Sequence, residues 1–237
     1  MDLKIDNHIS GQFGRELESM VSHVLDMGGI VEKQLNQALQ AISNEDEKLA
    51  HKVIQEDYKI NAYEIMIDQE CARLIAKRQP AAIDLRIVLA IVKIIADLER
   101  IGDETCRLVK AALEQFNNSE QRFLVDLDHM GQQVLKMFKG ALDSLARMDS
   151  LAAYEVYKQD KKIDVAYEAI TRQLMTHMME DPRAIPRIMD VVWSTRSLER
   201  IGDRCQNISE HVIYLIKGKD VRHSSTEQIE AMLKPKG

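Results

Sequence analysis

The chain has 237 residues, enough for one large domain or two of roughly 100 residues each. Only 10 glycines, 4 prolines and 5% aromatic residues accompany an abundance of Met, Leu, Ile, Ala, Glu and Lys, which argues against a β-rich fold and for long helices. The 45% hydrophobic residues argue against global disorder, and a net charge of −6 with a pI near 5.7 argues against nonspecific nucleic-acid binding, which needs a surplus of Lys and Arg.

The opening segment, MDLKIDNHIS, has neither the basic nor the apolar stretch of a secretory leader. The most apolar run, Ile87 to Leu98, is interrupted by Lys93 and Asp97 and is too short to cross a bilayer, so membrane association is expected only through a partner. Cys71, Cys106 and Cys205 form no CxxC motif and read as small buried hydrophobes of a cytoplasmic protein.

In chain order, apolar periodicity predicts helices over 12–43, 45–78, 82–116, 120–148, 151–180 and 184–217, with a short terminal helix over 224–233. Asn44, with Glu47 three residues on, is the expected cap of the second helix, and Asp149 that of the fifth. Gln79-Pro80 and Asp181-Pro182 end their helices, because a residue before proline is pushed out of the helical region. The triplet Asn117-Asn118-Ser119 divides the chain into expected domains 1–117 and 118–237.

The two halves resemble each other. At an offset of 103, Met27-Gly28 falls on Met130-Gly131, Ala38-Leu39 on Ala141-Leu142, Asp46 on Asp149, Asp57 on Asp160 and Ile60 on Ile163. Past the prolines the offset is 100, and Leu98-Glu99-Arg100-Ile101-Gly102-Asp103 falls on Leu198-Glu199-Arg200-Ile201-Gly202-Asp203. Coiled-coil periodicity matches apolar positions only, so a shared glycine and shared carboxylates mark a duplicated unit. The expected fold is all-α: two tandem three-helix bundles, each running up, down and up.

Residues four apart on a helix stand about 40° apart and one turn above each other. Glu99 with Asp103, and Glu199 with Asp203, therefore form carboxylate pairs on one face, and Asn207 continues the second row where Arg107 continues the first. Ile95, Val92 and Val88 precede the first pair on the same stripe, as Val192 and Ile188 precede the second, so each pair extends an apolar face. Carboxylates there need cations, arginines or protons. One reading is a structural strut neutralised by Arg100, Arg196 or Arg200. The other is a site for a hard cation, Mg²⁺, Mn²⁺, Ca²⁺ or iron, with further oxygens from Asp57 and Glu64 in the first half and Asp160 and Asp164 in the second. The glycines at 102 and 202 each cost about 1 kcal/mol inside a helix, which points to close approach by a neighbouring helix.

No Glu-x-x-His, HExxH, phosphate-binding loop or nucleophile elbow is present, so no enzymatic activity is expected. His51 and His177 read as core-edge histidines, Met175, Met178 and Met179 as core filler, and Trp193 as an anchor in the core or at a subunit interface.

The duplicated Leu-Glu-Arg-Ile-Gly-Asp, continued in the second half as Asp203-Arg-Cys-Gln-Asn207, resembles the signature of the PhoU family. The opening His8-Ile-Ser-Gly-Gln-Phe13, the Ala76-Lys-Arg-Gln-Pro80 turn and Asp84-Leu-Arg86 resemble its proteobacterial members, and the likeness runs over essentially the whole chain. It implies a cytoplasmic, usually dimeric negative regulator of phosphate uptake and of the phosphate-starvation response. Such a protein would link the ATPase subunit of a phosphate ABC transporter to a regulatory histidine kinase. It also implies divalent or iron-type ions on Glu99, Asp103, Glu199, Asp203 and Asn207. Arg107 departs from the asparagine often found in that row, and its guanidinium is placed to neutralise Glu99 and Asp103. Arg86 joins Arg100, Arg107, Arg196 and Arg200 as cations for partners or carboxylates. The alternative functions are a metal-dependent phosphohydrolase and a metal-storage bundle. Tight binding of free phosphate is not expected, because the motif faces are acidic and no glycine-rich loop presents backbone N–H groups.

Overall fold

The computed structural model describes residues 11–114 and 122–233, which are helical with no strand among them. The first half comprises α1 (Gly11–Ser43), α2 (Glu47–Glu56), α3 (Tyr58–Arg78) and α4 (Ile83–Leu113). The second comprises α5 (Arg122–Ala146), α6 (Ser150–Tyr157), α7 (Asp160–Glu180) and α8 (Ile185–Lys217), followed by α9 (Thr226–Leu233). The dividing triplet 117–119 and the opening segment 8–10 lie outside the described residues.

Each expected second helix is interrupted once, at Asp57 and at Lys158–Gln159. The backbone stays right-handed there and tightens: Ile60 N–H donates to the Asp57 carbonyl at 2.9 Å, and Lys162 N–H to the Gln159 carbonyl at 2.9 Å. The cap of α2 is Asp46, not Asn44. Asn44 still belongs to the closing turn of α1, Glu45 takes a left-handed φ of 52°, and the Asp46 carboxylate accepts from Leu49 N–H at 3.0 Å. The second half repeats this turn. Met148 has φ 48°, Asp149 N–H reaches back to the Ser144 carbonyl at 2.9 Å, and the Asp149 side chain caps α6 through Leu151 and Ala152. Gln79, before Pro80, is left-handed, and Asp181, before Pro182, is extended.

The two bundles lie side by side and share one apolar core drawn from both halves. α1 packs on α5 and α4 on α8, the latter being the most extensive contact between described elements. Both pairs are antiparallel and related by the repeat. A methyl group on Gly28 would meet Leu142 Cδ2 at 2.5 Å, and one on Gly131 would collide with Leu39, the repeat equivalent of Leu142. A smaller cluster of Leu174, Ala184, Ile188 and Val191 fills the α7–α8 tip. Met178 packs partly against it, whereas Met175 and Met179 are exposed, so the core-filler reading holds for one of the three. Trp193 is 58% exposed and His51 is exposed, which removes both from the core.

Where α8 ends, Gly218 takes φ 71°, and Arg86 from the first turn of α4 lies against it. α9 folds back so that Ile229 and Leu233 are buried, and Tyr154 OH donates to the Thr226 carbonyl at 3.1 Å. Beside this return the Glu210 carboxyl is pushed up to about 7 by burial and by Asp220, against the opposing effect of Arg222.

Two predictions follow from this packing. Gly218→Ala should lower Tm by several degrees, because a side chain at that φ costs about 1 kcal/mol and its methyl meets Arg86, whereas Glu45→Gly relieves a left-handed residue and should raise Tm slightly. Glu210 keeps its proton in the folded chain at pH values where the unfolded chain has released it. Stability from this group is therefore lost as pH rises from about 4.5 to about 7. Glu210→Gln should stabilise the chain at pH 8, on the order of 2 kcal/mol, and not at pH 4.5; thermal melts at the two pH values measure the difference.

Candidate functional site

The motif helices α4 and α8 each face two ways. Toward one another they place buried charges. Asp97 accepts from Arg204 Nη1 at 3.4 Å and Asn207 Nδ2 at 3.3 Å, and lies 3.3 Å from His211 Nε2. Glu104 accepts from Ser197 Oγ at 3.1 Å, Arg200 Nη1 at 3.1 Å and Arg107 Nη1 at 2.5 Å. Asp97 and Ser197 are repeat equivalents, as are Glu104 and Arg204, so the contact is one half-network and its divergent copy. The sequence reading missed it. The available signal was Asp97 itself, an acid within an apolar run.

Toward α3 and α7 the same helices present the acidic rows. Their glycines are where the neighbouring helix comes close. A methyl on Gly102 would stand 2.9 Å from Ile60 Cδ1 and 3.2 Å from Asp57 Oδ1; one on Gly202 would stand 3.1 Å from Asp160 Oδ1 and 3.2 Å from Ile163 Cγ2. Glycine at both positions thus lets an aspartate reach the helix backbone beside the Glu-x-x-x-Asp pair.

In the first half Asp57, Glu64, Glu99 and Asp103 share one field. Burial raises the Glu99 carboxyl, and Asp103, Glu64 and Asp57 raise it further while Arg100 opposes them. Burial and Asp68 raise Glu64, again against Arg100. Asp57 Oδ1 accepts from Gln34 Nε2 at 2.8 Å, and that nitrogen also lies 3.6 Å from Cys106 Sγ. Gln34 was not singled out from the sequence, where an isolated glutamine carries no pattern. Arg107 reaches Asp103 only at 3.7 Å; its nearer partner is Glu104.

In the second half one oxygen each of Asp160, Asp164 and Asp203 come within 4.8 Å of one another. Asp160 is 5% exposed, and its Oδ1 has no hydrogen-bond partner. Burial, then Asp164, Asp203 and Glu199, push its carboxyl up to about 7. Glu199 Oε1 accepts from Arg196 Nη1 at 2.9 Å while its Oε2 is buried without a partner. Arg196 also lies over the Tyr167 ring, 5.6 Å from its centroid. Asn207, expected in this row, turns its amide to Asp97 instead, and Arg86 lies at the end of α8, away from both rows. Three converging carboxylates, one of them buried with an orphan oxygen, suit a hard cation, which favours several anionic oxygens.

Comparison with known proteins agrees with this geometry. The model of the PhoU domain matches residues 24–112 and again 127–212, the two halves. The phosphate-specific transport system accessory protein PhoU of Serratia marcescens is 50% identical over 232 residues, covering 98% of this chain and 96% of its own. Its counterpart in Escherichia coli K12 is 48% identical over 231 residues, with the same coverage of both chains. The crystal structure of PhoU from Pseudomonas aeruginosa superposes with a TM-score of 0.84 at 48% identity, over 87% of this chain and 100% of that one. That of the phosphate transport system regulatory protein PhoU from Streptococcus pneumoniae gives 0.81 at 30% identity, over 88% and 99%. With both repeats matched, the motif helices in place and near-full-length identity to these proteins, the chain belongs to the PhoU family.

Proposed function

We propose that the chain is a non-catalytic, cytoplasmic negative regulator of phosphate uptake and of the phosphate-starvation response, acting as a homodimer. It does so as an adaptor between the ATPase subunit of a phosphate ABC transporter and a phosphate-responsive histidine kinase, and it holds a divalent or iron-type cation on its second acidic row. The observation that carries the regulatory reading is the near-full-length likeness to proteins named as accessory and regulatory components of phosphate transport. No helix among the described residues is long and apolar enough to cross a membrane, so contact with a transporter runs through its cytoplasmic parts on this reading. Exposed Trp193, Met175 and Met179 supply the large apolar groups that protein contacts use as anchors.

The cation reading is supported by the orphan oxygens of Asp160 and Glu199. Asp160, Asp164 and Asp203 would hold the ion, with Glu199 beside them. The ion would supply positive charge that neutralises the row and ties α7 to α8. Arg196 then fixes Glu199 through one oxygen and leaves the other available.

Two experiments test these readings. The tagged chain should retain the transporter ATPase subunit from an extract of cells grown with ample phosphate, and Trp193→Ala should weaken capture about tenfold, the order expected for an aromatic anchor. A chain that retains neither ATPase nor kinase, yet hydrolyses a phosphate monoester with Mn²⁺, would replace the adaptor with the phosphohydrolase reading. Separately, Asp203→Asn should lower bound Mn²⁺ and the thermal stabilisation that added Mn²⁺ provides. In the parent this gain is about 2.7 kcal/mol at a hundredfold excess over Kd. Equal stabilisation of parent and variant would count against an ion on this row.

A further inference from the structure

The duplicated unit builds the same frame twice and completes it differently. Asp57 and Asp160 are repeat equivalents, and each sets its Oδ1 against its own motif glycine, 3.2 and 3.1 Å from where a methyl would stand. In the first half that oxygen is satisfied from within the chain: Gln34 Nε2 donates to it at 2.8 Å. Gln34 is 5% exposed and comes from α1, so the amide is a fixed part of the core edge. Its orientation follows from charge, because the reversed amide would set Oε1 against a carboxylate oxygen.

The equivalent of Gln34 in the second half is Met137, which is 1% exposed and whose thioether has no proton to donate. Asp160 Oδ1 is accordingly left without a partner. A second exchange points the same way. Asp164 corresponds to Asn61, so the half that lacks the internal donor gains a carboxylate one turn further along. Among the described residues, Asp160, Asp164 and Asp203 are the acidic group whose oxygens converge within 4.8 Å. A buried carboxylate oxygen with no donor is costly, and an amide N–H or a cation can each remove that cost.

We propose that the chain has one cation site, in the second half, and that in the first half the Gln34 amide stands in the place of the ion. The first acidic row is then a metal-free strut that holds α1, α3 and α4 together around Asp57. The inference rests on the cation reading of the second row. It gives the two halves separate duties: one is closed permanently by its own side chain, and the other closes only when an ion is present.

The test uses the full chain, stripped of metal, titrated with Mn²⁺ and desalted for elemental analysis. The parent should retain one class of Mn²⁺ site, Asp103→Asn should keep it, and Asp203→Asn should lose it. Met137→Gln supplies an N–H to Asp160 and should weaken Mn²⁺ binding about tenfold or more, the usual effect of altering a group that orients a ligand. Met137→Leu should leave binding unchanged. The reverse exchange, Gln34→Met with Asn61→Asp, should add a second class of site. In metal-free protein Met137→Gln should raise Tm and Gln34→Met should lower it. Equal loss of Mn²⁺ from Asp103→Asn and Asp203→Asn overturns the single-site inference and leaves the cation reading standing. Unchanged binding in folded Met137→Gln also overturns it. No Mn²⁺ in the parent removes the cation reading and this inference together. Should Met137→Gln fail to fold, the Asp103 and Asp203 comparison still decides.

Discussion

Two carboxylates buried between the motif helices constrain everything around them. Asp97 and Glu104 are 5% and 6% exposed and sit where α4 crosses α8, so each must be matched by donors from the opposite helix. Arg204, Asn207 and His211 serve Asp97; Ser197 and Arg200 serve Glu104, with Arg107 added from its own helix. A shift of one helix past the other by a turn would strand both charges in the core, a far larger penalty than an apolar seam alone would impose. The antiparallel register of α4 and α8 is thereby fixed, and with it the side-by-side arrangement of the bundles. The α1–α5 contact then needs only shape, and Gly28 opposite Leu142 with Gly131 opposite Leu39 provides it.

Most of this architecture was legible in the sequence, and for a definable reason. Helices and their ends depend on local periodicity, on capping side chains and on proline, all within a few residues. The duplication showed itself because a glycine and two carboxylates recur where periodicity alone would repeat only apolar residues. What was misread depends on partners distant in the chain. Asn44 resembles a cap locally, yet the left-handed Glu45 hands that role to Asp46. Met175 and Met179 have helical spacing, but the α7–α8 tip extends beyond the shared core, and its small cluster covers only Met178. The α4–α8 network and the Gln34–Asp57 bond join residues far apart in sequence, and no short motif announces either.

Of the arginines expected to neutralise the acidic rows, Arg196 pairs with Glu199 as foreseen, whereas Arg107 and Arg200 make their short bonds to Glu104. Glu99 with Asp103 and Glu199 with Asp203 follow from helical geometry, and the glycines foretold the close approach of a neighbouring helix, which in the structure brings Asp57 and Asp160 against them. Which cation answers which carboxylate is a competition, and a competition needs every competitor. Arg200 and Arg107 stand beside the rows in sequence, but their short hydrogen bonds go to Glu104. Asn207, three residues beyond Arg204, turns with it toward Asp97.

That competition has a consequence for function. A charge buried at the helix crossing draws donors more strongly than a partly hydrated one at the rim, because burial removes the water that would otherwise solvate it. The crossing therefore takes Arg200 and Arg204 for itself and leaves Arg196 as the guanidinium hydrogen-bonded in the second row, where it reaches one oxygen of Glu199. Asp160 Oδ1 and the remaining oxygen of Glu199 are then left without a hydrogen-bond donor, while beyond the Arg196–Glu199 bond Arg196, Arg200 and Arg204 oppose the row's charge only through space, on Glu199 and Asp203. The mutual repulsion of the row's carboxylates appears in the raised carboxyls of Asp160, Glu199 and Asp203, in each of which burial is the largest cause and a neighbouring aspartate the next. The excess of carboxylate in the second row thus follows from how the two halves are joined. The carboxylates that lock α4 to α8 also take the hydrogen bonds of Arg200 and Arg204, and in the first half the Gln34 amide satisfies the Asp57 oxygen whose counterpart in the second half is left unpaired.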